Sequence, residues 1–100
     1  MENCFNKTYY LENILHSGKS GTEWEEKKGR NYDLRKNHYC KIVKTNEQDA
    51  LIINLFEDRV CDEKSYFKSI MTTPFVSFTK GENEKLYLRT ENSIYVLREA

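Results

Sequence analysis

Basic side chains interleaved with aromatic rings are the residues of this sequence best suited to a chemical role. Between Lys27 and Lys44 there are seven Lys or Arg residues and a single acid, Asp33. Trp24 and Tyr32 belong to the same band. Lysine and arginine neutralise phosphates and carboxylates, and aromatic rings stack on bases or anchor protein interfaces. The band therefore predicts binding to an anionic partner.

The rest of the sequence offsets this charge. Residues 47–63 hold six acids and one base, and the whole 100-residue chain has 16 basic and 16 acidic residues. Because dedicated nucleic-acid binders are usually basic overall, neutrality weakens the case for nucleic acid. A basic loop that docks on an acidic protein surface fits as well, and so does an acidic region that mimics a nucleic-acid backbone.

The two histidines, His16 and His38, are the candidates for acid–base catalysis. A general base needs a proton donor within reach, inside a cleft. His38 lies beside basic residues, and His16 falls at the end of a predicted helix, where a cation is stabilising without a catalytic role. We predict that the chain is not an enzyme; a small nuclease that uses one of these histidines is an alternative.

No motif specifies a cofactor or a metal. The segment 18–20 (GKS) resembles the end of a phosphate-binding loop, but Asn13 stands where that motif needs a glycine. The three cysteines are odd in number and widely spaced, which indicates reduced thiols; they are Cys4, Cys40 and Cys61. We predict no cofactor, no metal, and a location in the cytoplasm of a bacterial host cell.

Length and periodicity predict one α+β domain over residues 1–100. Its small antiparallel sheet has about five strands, formed by a hairpin over 39–56 and a meander over 75–98. A polar basic segment, 19–37, interrupts the first half of the chain. The segment combines a Gly/Ser linker, one or two helical turns over 23–28 that end at Gly29, and a loop.

One or two short helices complete the predicted fold. The first, near 7–16, follows from the spacing of Tyr9, Leu11, Ile14 and Leu15. The second, near 63–71, would place Tyr66, Phe67, Ile70 and Met71 on one face. A strand over 66–73 is the alternative for this second stretch.

The last third of the chain carries a resemblance. The segments 72–76 (TTPFV) and 89–97 (RTENSIYVL) resemble the C-terminal hairpin of many small phage and mobile-element proteins. An Asn-Ser turn between two strands explains the pattern physically. The resemblance implies an accessory protein, with small inhibitors of host defence such as anti-CRISPR proteins as a plausible class.

These observations predict a non-enzymatic binding protein, an inhibitor or regulator that docks on a bacterial defence or nucleic-acid-processing complex. The alternative is a domain that binds single-stranded nucleic acid or RNA through the band 24–44. The candidate partner-binding residues are Trp24, Lys27, Lys28, Arg30, Tyr32, Arg35 and Lys36. We expect them to be exposed, because they lie in a polar segment with few apolar neighbours.

The end of the chain suggests an assembly. The strand over 93–98 finishes the meander, and its apolar residues are protected by charge only at Arg98 and Glu99. An edge strand of this kind is a template for another strand. A homodimer through 93–98 is therefore a further possibility, beside extension of a sheet in the partner.

Overall fold

Antiparallel strands dominate the computed structural model, which describes residues 5, 7–17, 24–45, 49–59 and 64–100. Strands hold 58% of these residues and helices 9%, so the prediction of an α+β fold is wrong. The eight strands in the described residues are β1 Tyr9–Ser17, β2 Trp24–Glu26, β3 His38–Lys44, β4 Leu51–Phe56, β5 Lys68–Met71, β6 Phe75–Lys80, β7 Lys85–Thr90 and β8 Ser93–Glu99. The helical elements are α1, Arg30–Asp33, and a 3-10 turn at Glu82–Glu84.

The strands form one sheet in the order β5-β4-β3-β1-β8-β7-β6, and β2 pairs with the second half of β1. Strands β5 and β6 lie at opposite ends of this order, yet only residues 72–74 connect them. A connection of this length can bridge at most ~14 Å. The sheet must therefore curl until its first and last strands approach each other.

Alternating residues of the curled sheet point inward and form a single apolar core. Leu51, Ile53 and Leu55 of β4 show the pattern, since each is at most 1% exposed while Ile52 and Asn54 between them are only half-buried. The other buried members of this core are Tyr9, Leu11, Ile14, Cys40, Ile42, Ile70, Leu88, Tyr95 and Leu97. Every strand except β2 and β6 contributes to this buried set, and Phe75 and Phe78 of β6 pack against it.

Threonine hydroxyls hold the connection between β5 and β6 in place. Thr72 Oγ1 accepts the N–H of Leu51 at 2.9 Å and donates to the carbonyl of Thr73 at 2.8 Å. Thr73 Oγ1 donates to Thr90 Oγ1 at 2.8 Å, and the N–H of Asn92 donates to Thr73 Oγ1 at 3.2 Å. Two adjacent threonines thus link β4 on one side of the curl to β7 and the β7–β8 turn on the other.

The predicted helix near 7–16 is strand β1. Its pairing with β8 shifts register between Leu11 and Asn13, so Glu12 is an extra residue in a β-bulge. Leu11 and Ile14 consequently both face the core, each at most 2% exposed, although three positions separate them. This spacing imitates the apolar stripe of a helix, and the bulge is the physical reason for the incorrect prediction.

The predicted helix near 63–71 is also absent from the described part of that range, 64–71. Its last residues form β5, in which Ile70 is buried and Met71 is 59% exposed. Tyr66 and Phe67 precede the strand and are about half-exposed, 45% and 44%. The apolar residues therefore never shared one buried face, and the strand alternative over 66–73 is the better description.

The hairpin over 39–56 is present as β3 and β4, and the meander over 75–98 as β6, β7 and β8. Strand β8, however, is not an edge: it pairs with β1 on one side and β7 on the other. The expectation of an unpaired edge over 93–98 is wrong, because the bulged strand β1 occupies that side. A homodimer through this strand has no edge to use.

We expect Thr72→Val to destabilise the fold by about 1–3 kcal/mol, because the buried N–H of Leu51 loses its acceptor while the side-chain shape is kept. Urea unfolding followed by fluorescence measures the change. Thr79→Val, at an exposed position of β6, is the matched control and should stay within about 0.5 kcal/mol of the wild type. Equal midpoints for the two variants would contradict the role of Thr72.

Candidate functional site

The part of the basic band that connects β2 to β3 crosses the middle of β1. The N–H of Lys27 donates to the carbonyl of Ile14 at 2.8 Å, directly after β2 ends. The N–H of Asn37 donates to the carbonyl of Leu11 at 2.7 Å, directly before β3 begins. The intervening residues, with α1, therefore leave the sheet and cover the bulge of β1. The prediction of helical turns over 23–28 is wrong, because residues 24–26 of this range form strand β2. The segment 30–37, predicted as a loop, contains the short helix α1.

Gly29 determines the path of the chain where it leaves the sheet after β2. Its φ of +121° is a conformation that residues with a side chain rarely adopt. Its carbonyl accepts the N–H groups of Tyr32 at 3.0 Å and Asp33 at 2.9 Å, which starts α1. The sequence pattern places Gly29 at the end of a helix, whereas the structure places it at the beginning of one.

Tyr32 gathers two of the predicted binding residues around its ring. The Nζ of Lys27 lies 4.9 Å from the ring centroid, and the Cζ of Arg35 lies 5.6 Å from it. Cations at these distances are attracted to the face of the ring. Since Tyr32 also packs against the core, both cations are held close to the sheet.

Lys36 has a different position from the one expected. It is only 6% exposed, and its Nζ donates to Glu26 Oε1 at 3.0 Å and to the carbonyl of Lys27 at 2.6 Å. The hydrogen bond and the positive charge of Lys36 hold the pKa of Glu26 below its ordinary value of 4.5. Lys36 therefore joins the end of α1 to β2 and does not present its charge to solvent.

Trp24, Lys28 and Arg30 complete the predicted set. Trp24 is half-buried in β2, and the Cζ of Arg89 lies 5.1 Å from its ring centroid. Lys28 and Arg30 are exposed on either side of Gly29. The sequence analysis did not identify Arg89 as a neighbour of Trp24, because no local pattern connects a residue of β7 with one of β2.

Two adjoining cavities open beneath the band. The outer one, about 370 Å³, is lined by His16, Lys27, Lys28, Tyr32 and Asn92. The inner one, about 220 Å³, shares Lys27, Tyr32 and Asn92, and is further lined by Ile14, Arg35, Ile70, Met71, Thr73, Ser93 and Tyr95. None of these lining residues carries a carboxylate. The structure thus brings Lys27, Lys28, Tyr32 and Arg35 together, and adds residues of the β7–β8 turn and β8 that the sequence did not indicate.

None of the described residues that line these cavities is negatively charged at neutral pH. Burial raises the pKa of Tyr95 above its ordinary value of 10.0, although its hydrogen bond with Ser93 acts in the opposite direction. The phenol therefore stays protonated. Arg35 Nε is a buried donor with no hydrogen-bond acceptor among the described residues. An anion is the chemical species that this environment would stabilise.

A third cavity, about 310 Å³, lies at the opposite end of β1 and has a balanced charge. Its charged lining residues are Lys7, Lys80, Glu84 and Glu99, and Lys7 and Glu99 form an ion pair at 3.3 Å. Here the cations already have carboxylate neighbours. Of the three cavities described, only the two at the end that carries the basic band are lined by cations without a carboxylate among the described residues.

The two histidine side chains are too far apart to act on one reacting group. His38 pairs with Leu11 on β1, and His16 lies five residues further along the same strand, roughly 13–16 Å away. His38 Nδ1 lies 3.3 Å from the carbonyl of Arg35, and its ring contacts Phe67, whereas His16 Nε2 lies 4.0 Å from Glu25. This arrangement does not form a histidine pair, and the absence of an enzymatic role stays a prediction.

The described ranges contain neither a cluster suited to a metal ion nor a helix that could span a membrane. Within them, no group of three or more His, Cys, Asp or Glu side chains is placed to hold a metal ion. No helix there has the length and apolar character needed to cross a membrane. Cys4, Cys61 and residues 18–21 of the Gly/Ser linker predicted over 17–21 lie outside the described residues, and Ser17 is the last residue of β1.

Comparison with known proteins gave no match, whether to a family model, to a curated protein sequence or to a solved structure. Only the geometry and charge of the chain itself therefore indicate its function.

We expect Glu26→Gln to lower the stability of the fold at pH 7, because Lys36 then loses its carboxylate partner. A carboxyl whose pKa is lowered by folding stabilises the native state above its unfolded pKa, and this contribution is lost as the pH falls through the folded value. The difference between variant and wild type should therefore shrink below pH 4.5.

Urea unfolding at pH 7 and pH 3 measures this difference. Glu91→Gln, at an exposed turn position, is the control and should change stability little at either pH. A Glu26→Gln deficit of the same size at both pH values would show that the ion pair with Lys36 does not stabilise the fold.

Proposed function

We propose that this chain is a non-enzymatic binding protein that docks on an acidic face of a protein partner. The surface that makes the contact comprises Trp24, Lys27, Lys28, Arg30, Tyr32 and Arg35. One observation supports the proposal above the others: the cations of the segment between β2 and β3 converge on cavities whose described lining residues include no carboxylate. Uncompensated positive charge of this kind steers and orients an anionic partner.

The composition of this surface suits an interface. Trp, Tyr and Arg are the residue types that most often dominate binding energy. Lys27 and Arg35 are already held near Tyr32, at 4.9 Å and 5.6 Å from its ring centroid. Side chains that are ordered before binding lose less conformational entropy when the partner arrives.

Single-stranded nucleic acid is the second candidate partner, and the aromatic rings argue against it. Sequence-tolerant binding of single strands depends on bases that stack on exposed ring faces. Here Tyr32 carries Lys27 and Arg35 near its ring, and Trp24 carries Arg89. A stacking base would have to displace these cations, which favours docking of a protein.

The class of partner that we propose is a bacterial defence or nucleic-acid-processing complex, with this chain as an inhibitor or regulator in the host cytoplasm. The resemblance of segments 72–76 and 89–97 to phage and mobile-element proteins supports this part of the proposal. The spacing of the cysteines supports a reducing compartment.

Affinity capture from a nuclease-treated bacterial extract tests the proposal. The double variant Trp24→Ala/Arg30→Ala should weaken retention of the partner by about thirtyfold or more, as expected when interface anchors are removed. Arg30→Glu alone should weaken it as well, since it reverses an exposed charge. Mass spectrometry identifies the retained protein, and titration with the purified partner gives its affinity.

Val76→Ala on β6 is the matched control, because it removes a large exposed side chain that belongs to neither cavity. Its retention of the partner should equal that of the wild type, and all variants should unfold near the wild-type temperature. Equal retention by every variant would refute the proposed surface. Tight oligonucleotide binding that falls steeply with salt, without a nuclease-resistant partner, would favour the second candidate.

A further inference from the structure

We propose that the two adjoining cavities beneath the basic band form one binding site for a nucleoside phosphate. The phosphate occupies the outer cavity and the nucleoside occupies the inner one. Lys27, Tyr32 and Asn92 line both cavities and mark the place where the two halves of the ligand join. This inference concerns a small ligand of the isolated chain and does not rest on the macromolecular partner.

The outer cavity has the chemistry of a phosphate site. Lys27 and Lys28 supply ammonium groups, and His16 and Asn92 supply nitrogen donors around a space of about 370 Å³. No described lining residue of this cavity is acidic, and the carboxylate of Glu25 lies behind His16, 4.0 Å from its Nε2. Charge-assisted hydrogen bonds to a phosphate are short and stronger than those between neutral groups.

The inner cavity adds apolar side chains and hydroxyl groups to the cations Lys27 and Arg35. Ile14, Ile70 and Met71 supply apolar surface, while Thr73 and Ser93 supply hydroxyl groups that can meet the edge of a base or a ribose. Pockets for small molecules generally combine mostly apolar walls with a few polar groups that fix orientation. A bare inorganic anion would leave these walls unused.

Arg35 extends the positive charge into the inner cavity. It lines that cavity, and its Cζ lies 5.6 Å from the centroid of the Tyr32 ring. A ligand that carries a phosphate therefore meets a cation in both cavities.

The dimensions agree with this class of ligand. The two cavities, about 370 Å³ and about 220 Å³, together fall near the middle of the range of about 300–1,000 Å³ that is typical of small-molecule sites. The space is therefore large enough for a mononucleotide.

The experiment titrates the purified chain with AMP, UMP, adenosine and inorganic phosphate, and follows backbone amide resonances by NMR. Each mononucleotide should shift the amides of Thr73, Asn92 and Ser93 and should bind at least about tenfold more tightly than adenosine or inorganic phosphate alone. If phosphate alone binds as tightly as the nucleotides, or if no ligand shifts these amides at millimolar concentration, the proposal is wrong.

Three variants locate the site. Arg35→Met should weaken mononucleotide binding at least about tenfold, because a positive charge is removed from the wall of the inner cavity. Lys28→Ala, at an exposed position, should weaken it severalfold and keeps the test decisive if Arg35→Met fails to fold. Lys80→Ala, in the cavity at the opposite end of β1, should leave the affinity unchanged. Equal affinities for wild type and Lys28→Ala, or a loss in Lys80→Ala, would overturn the assignment.

Discussion

The short connection from β5 to β6 is the constraint on which the rest of this structure depends. Three residues, 72–74, join the two strands that lie at opposite ends of the sheet order. A flat seven-strand path would separate them by about 28 Å, since neighbouring strands lie ~4.7 Å apart. The connection therefore forces the sheet to curl, encloses one core and brings the β7–β8 turn within hydrogen-bonding distance of Thr73.

Curling also determines where a binding site can form. Near the middle of β1 the bulge separates β2 from β3, and the chain between these two strands leaves the sheet and crosses over β1. The far side of the inner cavity is closed by Thr73 and by Asn92 in the β7–β8 turn. The cavities are thus bounded by segments far apart in sequence, and the closure of the sheet brings them together.

The sequence predicted best the parts of the fold that follow from local contacts. The hairpin β3–β4 and the meander β6–β8 follow from alternation and turn residues, both of which act over a few positions. Strand β1 was mistaken for a helix because the extra residue Glu12 changes the inward spacing from two to three. Strand β2 has only three residues, Trp24–Glu26, too few for a periodic signal.

The residues of the candidate site also fall into two groups, those that local sequence indicates and those that only the fold brings together. Lys27, Lys28, Tyr32 and Arg35 form a local cluster, so charge and aromatic content were enough to select them. Asn92, Ser93 and Tyr95 line the inner cavity only because the curled sheet brings β8 beneath the band, and such long-range proximity leaves no local trace.

Lys36 shows how the structure separates two roles within one run of positive charge. Its ammonium lies 3.0 Å from a carboxylate oxygen of Glu26 and 2.6 Å from the carbonyl of Lys27, so its charge is compensated inside the fold. That compensation fixes the backbone of Lys27, whose own ammonium stays beside Tyr32 at the boundary between the cavities. One lysine is buried so that the other can be positioned, and a count of basic residues along the sequence cannot distinguish them.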